Sequence, residues 1–155
     1  RFIKDDPAGL EDSYHYKIDF DAEKFIKLPG AGAFYVYPVV GAGSPVQGQL
    51  QFSGQIEKTA DVSCGSGIAE EEYRFELPAG MQILSVPDDV TLTSETLKYE
   101  ARYRLEGNVL AVRRKLEDRT PTHICSPAYA TVYKQFGDQV VEDLKSQVLY
   151  KLPKK

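Results

Sequence analysis

The chain has few of the residues on which cofactor chemistry usually depends. Its 155 residues include no tryptophan, one methionine, two cysteines and two histidines. The cysteines and histidines lack the CxxC, HxxxH or HExxH spacing of a metal site, and the glycines at 30–33 lack the GxGxxG or Walker pattern of a phosphate-binding loop. No apolar run approaches the roughly 20 residues of a membrane-spanning helix. We therefore expect no cofactor, no metal and no membrane span in this chain.

The composition is that of one soluble globular domain. Hydrophobic residues make up 42% of the chain and charged residues 27%. A chain of this length can bury a hydrophobic core without the help of bound metals or disulfide bonds. The net charge of -4 argues against nucleic acid as a partner. Because the chain begins at Arg1 with neither Met nor a signal peptide, we expect a piece of a longer product. We expect residues 1–12 to be a linker or the tail of a preceding domain, and residues 13–155 to be a single β-sandwich domain.

A strand-turn-strand pattern at residues 97–118 defines its own register. With Gly107 and Asn108 as a two-residue turn, Tyr103 lies opposite Val112 and the apolar residues share one face. Opposite charges, such as Glu100 and Lys115, pair on the other face. The pattern predicts an antiparallel hairpin with five buried side chains on its inner face: Tyr99, Tyr103, Leu105, Leu110 and Val112.

Apolar and polar residues alternate in several further segments. The alternation predicts strands near 14–20, 50–56, 60–64, 73–77, 81–86 and 90–93, and extended chain at 34–40. Cys64 has inward parity in its segment, whereas the acidic run at 70–72 is expected to be solvated. With no βαβ alternation, the fold class is predicted to be mainly β: an antiparallel β-sandwich of about eight strands.

One helix is predicted near the C-terminal end, packed on the sandwich. Ser126 suits its N-cap and Pro127 its first position. An apolar stripe at i, i+3, i+4 spacing follows, formed by Tyr129, Val132, Tyr133, Phe136, Val140 and Leu144. Residues 148–152 then predict a last short strand or a docked tail.

Cys125 is the strongest candidate for a nucleophile. It precedes a helix N-terminus, whose dipole lowers the pKa of a thiol, and His123 lies two residues before it. The residues alone leave two states open for Cys64 and Cys125, buried thiols or a disulfide. A Cys-His hydrolase also needs a group that orients the base and donors for the oxyanion, which neighbours on one strand rarely supply. A structural cysteine beside an exposed histidine is the simpler interpretation.

Three arginines are predicted to cluster on the outer face of the hairpin. Arg102 lies opposite Arg113 with Arg104 beside them, an arrangement that destabilises the sheet unless negative charge relieves it. Glu72 or Glu76 on a neighbouring strand would suffice, and an anionic ligand or partner is the alternative. The ten tyrosines could line a saccharide-binding patch, although most have core parity.

The second half of the chain resembles a known domain type. The residues that carry the likeness are LPGAGAF, the EEEYRFELPAGM strand and turn, the hairpin, and DRTP-x-x-x-CSPAY leading into the helix. They resemble the β-rich domain of unknown function that follows the transglutaminase-like core in a group of exported bacterial proteins. The resemblance implies that Cys125 pairs with Cys64, and that catalysis belongs to a papain-like Cys-His-Asp core which this chain does not contain.

From these observations we expect a non-catalytic accessory domain. It would pack against an upstream transglutaminase-like domain of the same chain, and position a protein or cell-envelope substrate, in an exported protein of the periplasm or cell envelope. Another protein is a further candidate partner, and nucleic acid is not. The alternatives are a free-standing thiol hydrolase that uses Cys125 and His123, and a carbohydrate-binding module, which would need exposed coplanar aromatic rings.

Overall fold

A computed structural model describes residues 2–6, 9, 16–18, 28–36, 44–50 and 59–153. Within them the chain forms eleven strands and two helices. Their order is β1 (Phe2–Lys4), β2 (Tyr16–Ile18), β3 (Ala31–Tyr35), α1 (Pro45–Gln49), β4 (Val62–Ser63), β5 (Gly67–Glu76), β6 (Gln82–Ser85), β7 (Val90–Thr93), β8 (Leu97–Glu106), β9 (Val109–Asp118), β10 (Ile124–Cys125), α2 (Pro127–Leu144) and β11 (Gln147–Lys151).

The described strands form four antiparallel sheets. The largest has the order β5-β9-β8-β7, and a three-stranded sheet has the order β3-β11-β6. Two further pairs join β1 to β2 and β4 to β10. The predicted class, mainly β and antiparallel with one C-terminal helix, is confirmed.

The two larger sheets and helix α2 share one hydrophobic core. Phe34 of β3 lies 6.5 Å from Phe75 of β5 between ring centroids, which brings the inner faces of the sheets together. Helix α2 packs on β8, and its stripe reaches the core through Tyr133, Phe136, Val140 and Leu144. The predicted cap is confirmed, since the Ser126 side chain accepts a hydrogen bond from the backbone N–H of Tyr129.

The predicted register of the central hairpin is confirmed. Tyr103 pairs with Val112 and Glu106 with Val109, which leaves Gly107 and Asn108 as the turn. Gly107 has φ +60, a left-handed conformation that glycine adopts without steric cost. The inner face of the hairpin therefore enters the core as the alternation predicted, with one exception.

That exception is Leu105, which is 40% exposed although its parity predicts burial. Its register partner Leu110 is buried, because β9 is flanked there by Phe75 of β5, whereas β7 pairs only with residues 98–101 of β8 and leaves Leu105 at the edge of the sheet. Val132 on the helix is likewise 51% exposed, because it lies at the margin of the apolar stripe. The prediction of burial is wrong for Leu105, because periodicity identifies a face and does not show where its cover ends.

Two other expectations need correction. Leu50 does not begin a strand but follows α1 as its C-cap, and this five-residue helix was not predicted. It begins with Ser44 as N-cap and Pro45 at its first turn, and it buries Val46 against β5 and β9. The acidic run at 70–72 is not wholly solvated, because Glu71 is buried.

Several expectations concern residues that lie wholly or partly outside the described ranges. They include most of the predicted strand at 14–20, the strand expected at 51–56 and the end of the extended segment at 37–40. Strand β1 lies inside the segment expected to be a linker, where it pairs with β2. The boundary between residues 12 and 13 stays a prediction.

Candidate functional site

A buried ionic cluster lies at the centre of the core. Arg114 of β9 is 1% exposed, and its register neighbours on the inner face are Ala101 of β8 and Glu71 of β5. The small Ala101 side chain leaves room for the guanidinium between the strands. Because an isolated buried charge is very costly, the surrounding contacts must compensate it.

Those contacts come from three parts of the chain. The Arg114 Nη1 atom lies 3.0 Å from Glu71 Oε1 and also donates to the Val36 carbonyl oxygen at 3.3 Å. The Nη2 atom donates to the Tyr103 hydroxyl at 3.0 Å. The Ser44 hydroxyl donates to the second oxygen of Glu71, so the N-cap of α1 is tied to the same cluster.

Asp143 of helix α2 brings a second carboxylate to this guanidinium. It accepts hydrogen bonds from the hydroxyls of Tyr99 at 2.5 Å and Tyr103 at 3.1 Å. Its Oδ2 atom lies 3.5 Å from Arg114 Nε, which forms an ion pair but leaves that nitrogen without a hydrogen-bond partner among the described residues. The cluster therefore links the helix, two strands of the hairpin, β5 and α1.

The tyrosines act as neutral donors in this cluster. Burial raises the pKa of Tyr103 to about 12, against the opposing effect of Arg114. Burial, followed by the Asp143 carboxylate, raises the pKa of Tyr99 still further. Both hydroxyls therefore keep their protons at neutral pH and can donate to Asp143.

Sequence reasoning missed this cluster, although its signal was present. Glu71 continues the inward parity of Tyr73 and Phe75, and Arg114 lies between the inward-facing Val112 and Leu116. On the helix, Asp143 lies three residues after Val140, a buried residue of the apolar stripe. The acidic run that contains Glu71 was expected to be solvated, and neither Arg114 nor Asp143 was assigned a role, whereas the assembled register places all three on apolar faces.

The two cysteines are joined in a disulfide, the pairing that the resemblance implied. The Cα atoms of Cys64 and Cys125 are 5.9 Å apart, within the usual range for a bridge. The bond adds a covalent link to the short β4-β10 ladder just ahead of α2. A bridged Cys125 has no thiolate, so the arrangement gives no support to its use as a nucleophile.

His123 and Cys125 differ in exposure, since Cys125 is buried. The His123 side chain is exposed, and its backbone carbonyl accepts a hydrogen bond from the Cys64 N–H at 3.0 Å. Among the described residues, no three His, Cys, Asp or Glu side chains are grouped closely enough to hold a metal ion. No helix in the described ranges is long and apolar enough to cross a membrane.

A cavity of about 210 Å³ lies beside the disulfide. Its carboxylate is already engaged: Asp118 accepts hydrogen bonds from the backbone N–H and hydroxyl of Thr120, and burial, with Asp118 as a further cause, raises the pKa of Tyr133. The other lining residues are Gln49, Val62, Ser63, Cys64, Gly65, Ser66, Cys125, Tyr129 and Ala130. The cavity is thus a small, mostly apolar space whose carboxylate serves the fold.

The outer arginines lie where the register predicted, with Arg102 opposite Arg113. Asp89, rather than Glu72 or Glu76, makes the main contacts: Arg104 donates to both of its oxygens, at 2.8 and 2.7 Å. Arg102 donates to the Val90 carbonyl and the Thr91 hydroxyl. Arg113 has Glu72 as its register partner on β5. The hypothesis of an anionic ligand at this patch stays a prediction.

One solved structure shares this fold. The chain is similar to part of a protein from Parabacteroides distasonis described as a "putative protease", with a TM-score of 0.56 and 17% sequence identity. The likeness covers 79% of this chain but 24% of that one, so the chain spans about a quarter of the length of this neighbour. No curated protein sequence matches the chain significantly.

A family model also matches the chain. The match spans residues 55–150, more than half of the sequence, and the family is described as a Domain of Unknown Function with solved structure, DUF3858. The matched residues run from the segment before β4 to the penultimate residue of β11, and they include both cysteines and all three members of the Arg114, Glu71 and Asp143 cluster.

Proposed function

Because the chain belongs to the DUF3858 family, we propose that it is a non-catalytic accessory domain of a longer protein that carries a transglutaminase-like catalytic domain. In this proposal the domain packs against the catalytic domain and helps to position a protein or cell-envelope substrate. The longer protein is exported to the periplasm or cell envelope.

The observation that carries the proposal is the coverage of the structural neighbour. Most of this chain matches about a quarter of a much longer chain described as a putative protease. The same fold thus occurs as one part of a larger protein, which is the arrangement expected of an accessory domain. A fold match does not transfer chemistry, so the accessory role rests on this placement and on the residues of the chain itself.

The state of the cysteines supports the same proposal. The best candidate nucleophile, Cys125, is held in a disulfide, and the carboxylates of the central cluster are engaged by Arg114, Ser44 and two tyrosines. These groups hold elements of the fold together. A disulfide is also compatible with export, because such bonds persist in oxidising compartments.

The carbohydrate-binding alternative finds less support. A saccharide platform uses exposed aromatic rings, and Tyr35 is the one exposed tyrosine or phenylalanine among residues 28–36, 44–50 and 59–153. The other aromatic side chains described there are buried or half-buried.

The test compares the full-length gene product with a version that lacks residues 13–155. We expect the deletion to lower the melting temperature of the remaining catalytic domain and to reduce its turnover of peptide substrates, because a packed interface is lost. A matched version with Arg104→Met, which alters only an exposed side chain, should behave like the wild type. Unchanged stability and turnover after the deletion would contradict the accessory role.

A further inference from the structure

A groove of about 630 Å³ lies on the side of the core away from the disulfide. It is bounded by strand β7, the last turns of helix α2 and the start of β11. Val90 and Leu92 of β7 form one apolar wall, and Leu149 of β11, which is exposed, forms part of another. The space is large enough for a long side chain together with part of the segment that carries it.

The charges around this groove all have one sign. Asp88, Glu142 and Asp143 line it, and no lysine, arginine or histidine is among its lining residues. Asp88 and Glu142 are exposed at the rim and make no ion pair within the described part of the chain. The groove therefore combines apolar walls with an acidic rim.

The buried cluster brings a third carboxylate to the same place. Asp143 belongs both to the groove lining and to the cluster, where a single guanidinium faces two carboxylates. Glu71 Oε1 lies 3.0 Å from Arg114 Nη1, whereas Asp143 Oδ2 lies 3.5 Å from Nε, a nitrogen without a hydrogen-bond partner among the described residues. The carboxylate that lines the groove is thus the one that the guanidinium contacts less closely, which favours a cationic ligand in the groove.

From this complementarity we propose that the groove binds a lysine or arginine side chain presented by a partner polypeptide. The aliphatic stem packs against Val90, Leu92 and Leu149, and the cationic head lies between Asp88 and Glu142. A small metal ion would leave the apolar walls uncovered, whereas a long basic side chain uses both features of the groove. This inference concerns the groove alone and does not depend on the proposed accessory role.

The test is an NMR titration of the ¹⁵N-labelled protein with a short, end-capped peptide in which lysine alternates with valine. We expect chemical-shift changes confined to the amides of residues 85–92 and 139–149, at peptide concentrations of about 1 mM. The matched peptide with glutamine in place of each lysine should cause none of these shifts. Equal shifts with both peptides, shifts elsewhere on the protein, or none at all would overturn the proposal.

Two rim variants test which carboxylates are involved. Asp88→Asn and Glu142→Gln should each weaken lysine-peptide binding by up to about fivefold, the effect expected of an exposed ion pair. Glu106→Gln, the same kind of charge change next to the hairpin turn and outside the groove, is the control. Binding that is equally strong in the rim variants and the control would contradict the site, as would CaCl₂ alone reproducing the shifts, since that result indicates an ion site.

Discussion

Arg114 lies directly opposite Glu71 across the β5-β9 ladder, with Nη1 3.0 Å from Oε1, and both side chains are buried. This pair is the centre of a cluster that also holds helix α2 through Asp143. A charged pair on the inner face of a sheet is weak evidence for net stability, because desolvation opposes the attraction. Removal of one partner is a different matter, since it leaves a buried charge uncompensated.

The first prediction concerns that removal. Arg114→Met should lower the free energy of unfolding by about 3 to 5 kcal/mol, because it leaves two buried carboxylates without their cation. Arg104→Met, on the outer face, should cost less than about 1 kcal/mol despite the two hydrogen bonds to Asp89. Urea unfolding followed by circular dichroism measures both. Equal losses in the two variants would mean that Arg114 is not the buried centre of the fold.

The second prediction separates the ring of Tyr103 from its hydroxyl. The hydroxyl accepts from Arg114 and donates to Asp143, so Tyr103→Phe should cost about 1 to 3 kcal/mol. Tyr103→Ala also removes the buried ring and should cost about 3 to 5 kcal/mol. If both variants lose less than about 1 kcal/mol in equilibrium unfolding, the position of Tyr103 in the core is wrong.

The third prediction concerns the disulfide. Mass spectrometry of unreduced, alkylated protein should find two hydrogens fewer than in the reduced chain and no alkylated cysteine. Because the bridge closes a loop with a sequence separation of 61, the chain-entropy model gives a loss of about 4 kcal/mol on reduction. The variant Cys64→Ser/Cys125→Ser should show the same loss without a reductant. Two thiols that alkylate freely under oxidising conditions would rule out the bridge.

The fourth prediction concerns acid stability. The hydrogen bonds from Arg104 and then from the Tyr103 N–H lower the pKa of Asp89 from 3.8 to about 2. A carboxyl whose pKa is depressed by folding stabilises the fold at pH values above its unfolded pKa, and that stabilisation is lost as the pH falls toward the folded value. Wild type should therefore melt at a higher temperature than Asp89→Asn near pH 6, and the difference should shrink between about pH 4 and pH 2.

Asp88→Asn is the control for this effect. It removes the neighbouring carboxyl, which makes no ion pair within the described part of the chain. The difference in melting temperature between wild type and Asp88→Asn should not shrink between about pH 4 and pH 2 as it does for Asp89→Asn. A gap for Asp89→Asn that stays constant from about pH 6 to pH 2 would contradict the Arg104–Asp89 interaction.

Local signals in the sequence predicted the parts of the fold that depend on local rules. The hairpin register follows from the Gly107-Asn108 turn and the alternation beside it, and the helix start follows from Ser126 and Pro127. Helix α1 was not predicted, because five residues are too few for a periodic pattern to emerge. Such short elements depend on their packing, here the burial of Val46.

The buried cluster could not be predicted from segments taken one at a time. Glu71 and Arg114 face each other only once β5 is paired with β9, and Asp143 joins them only when α2 lies on β8. Each is a charged residue at an apolar position, where burial is tolerated because a partner from another element is present. Pairing between distant elements is the information that alternation within one strand does not contain.

The central claim, that this chain is a non-catalytic accessory domain, is tested most directly by its reactivity in isolation. The measurement combines an activity-based thiol probe with a panel of ester and amide substrates, applied to wild type and to the Cys64→Ser/Cys125→Ser variant, in which neither cysteine is left as a free thiol. We predict neither labelling nor turnover in wild type, because Cys125 is held in the disulfide with Cys64, and none in the variant, because it has no cysteine. Labelling or turnover in wild type that disappears in the folded double variant would contradict the claim and identify the domain as an enzyme.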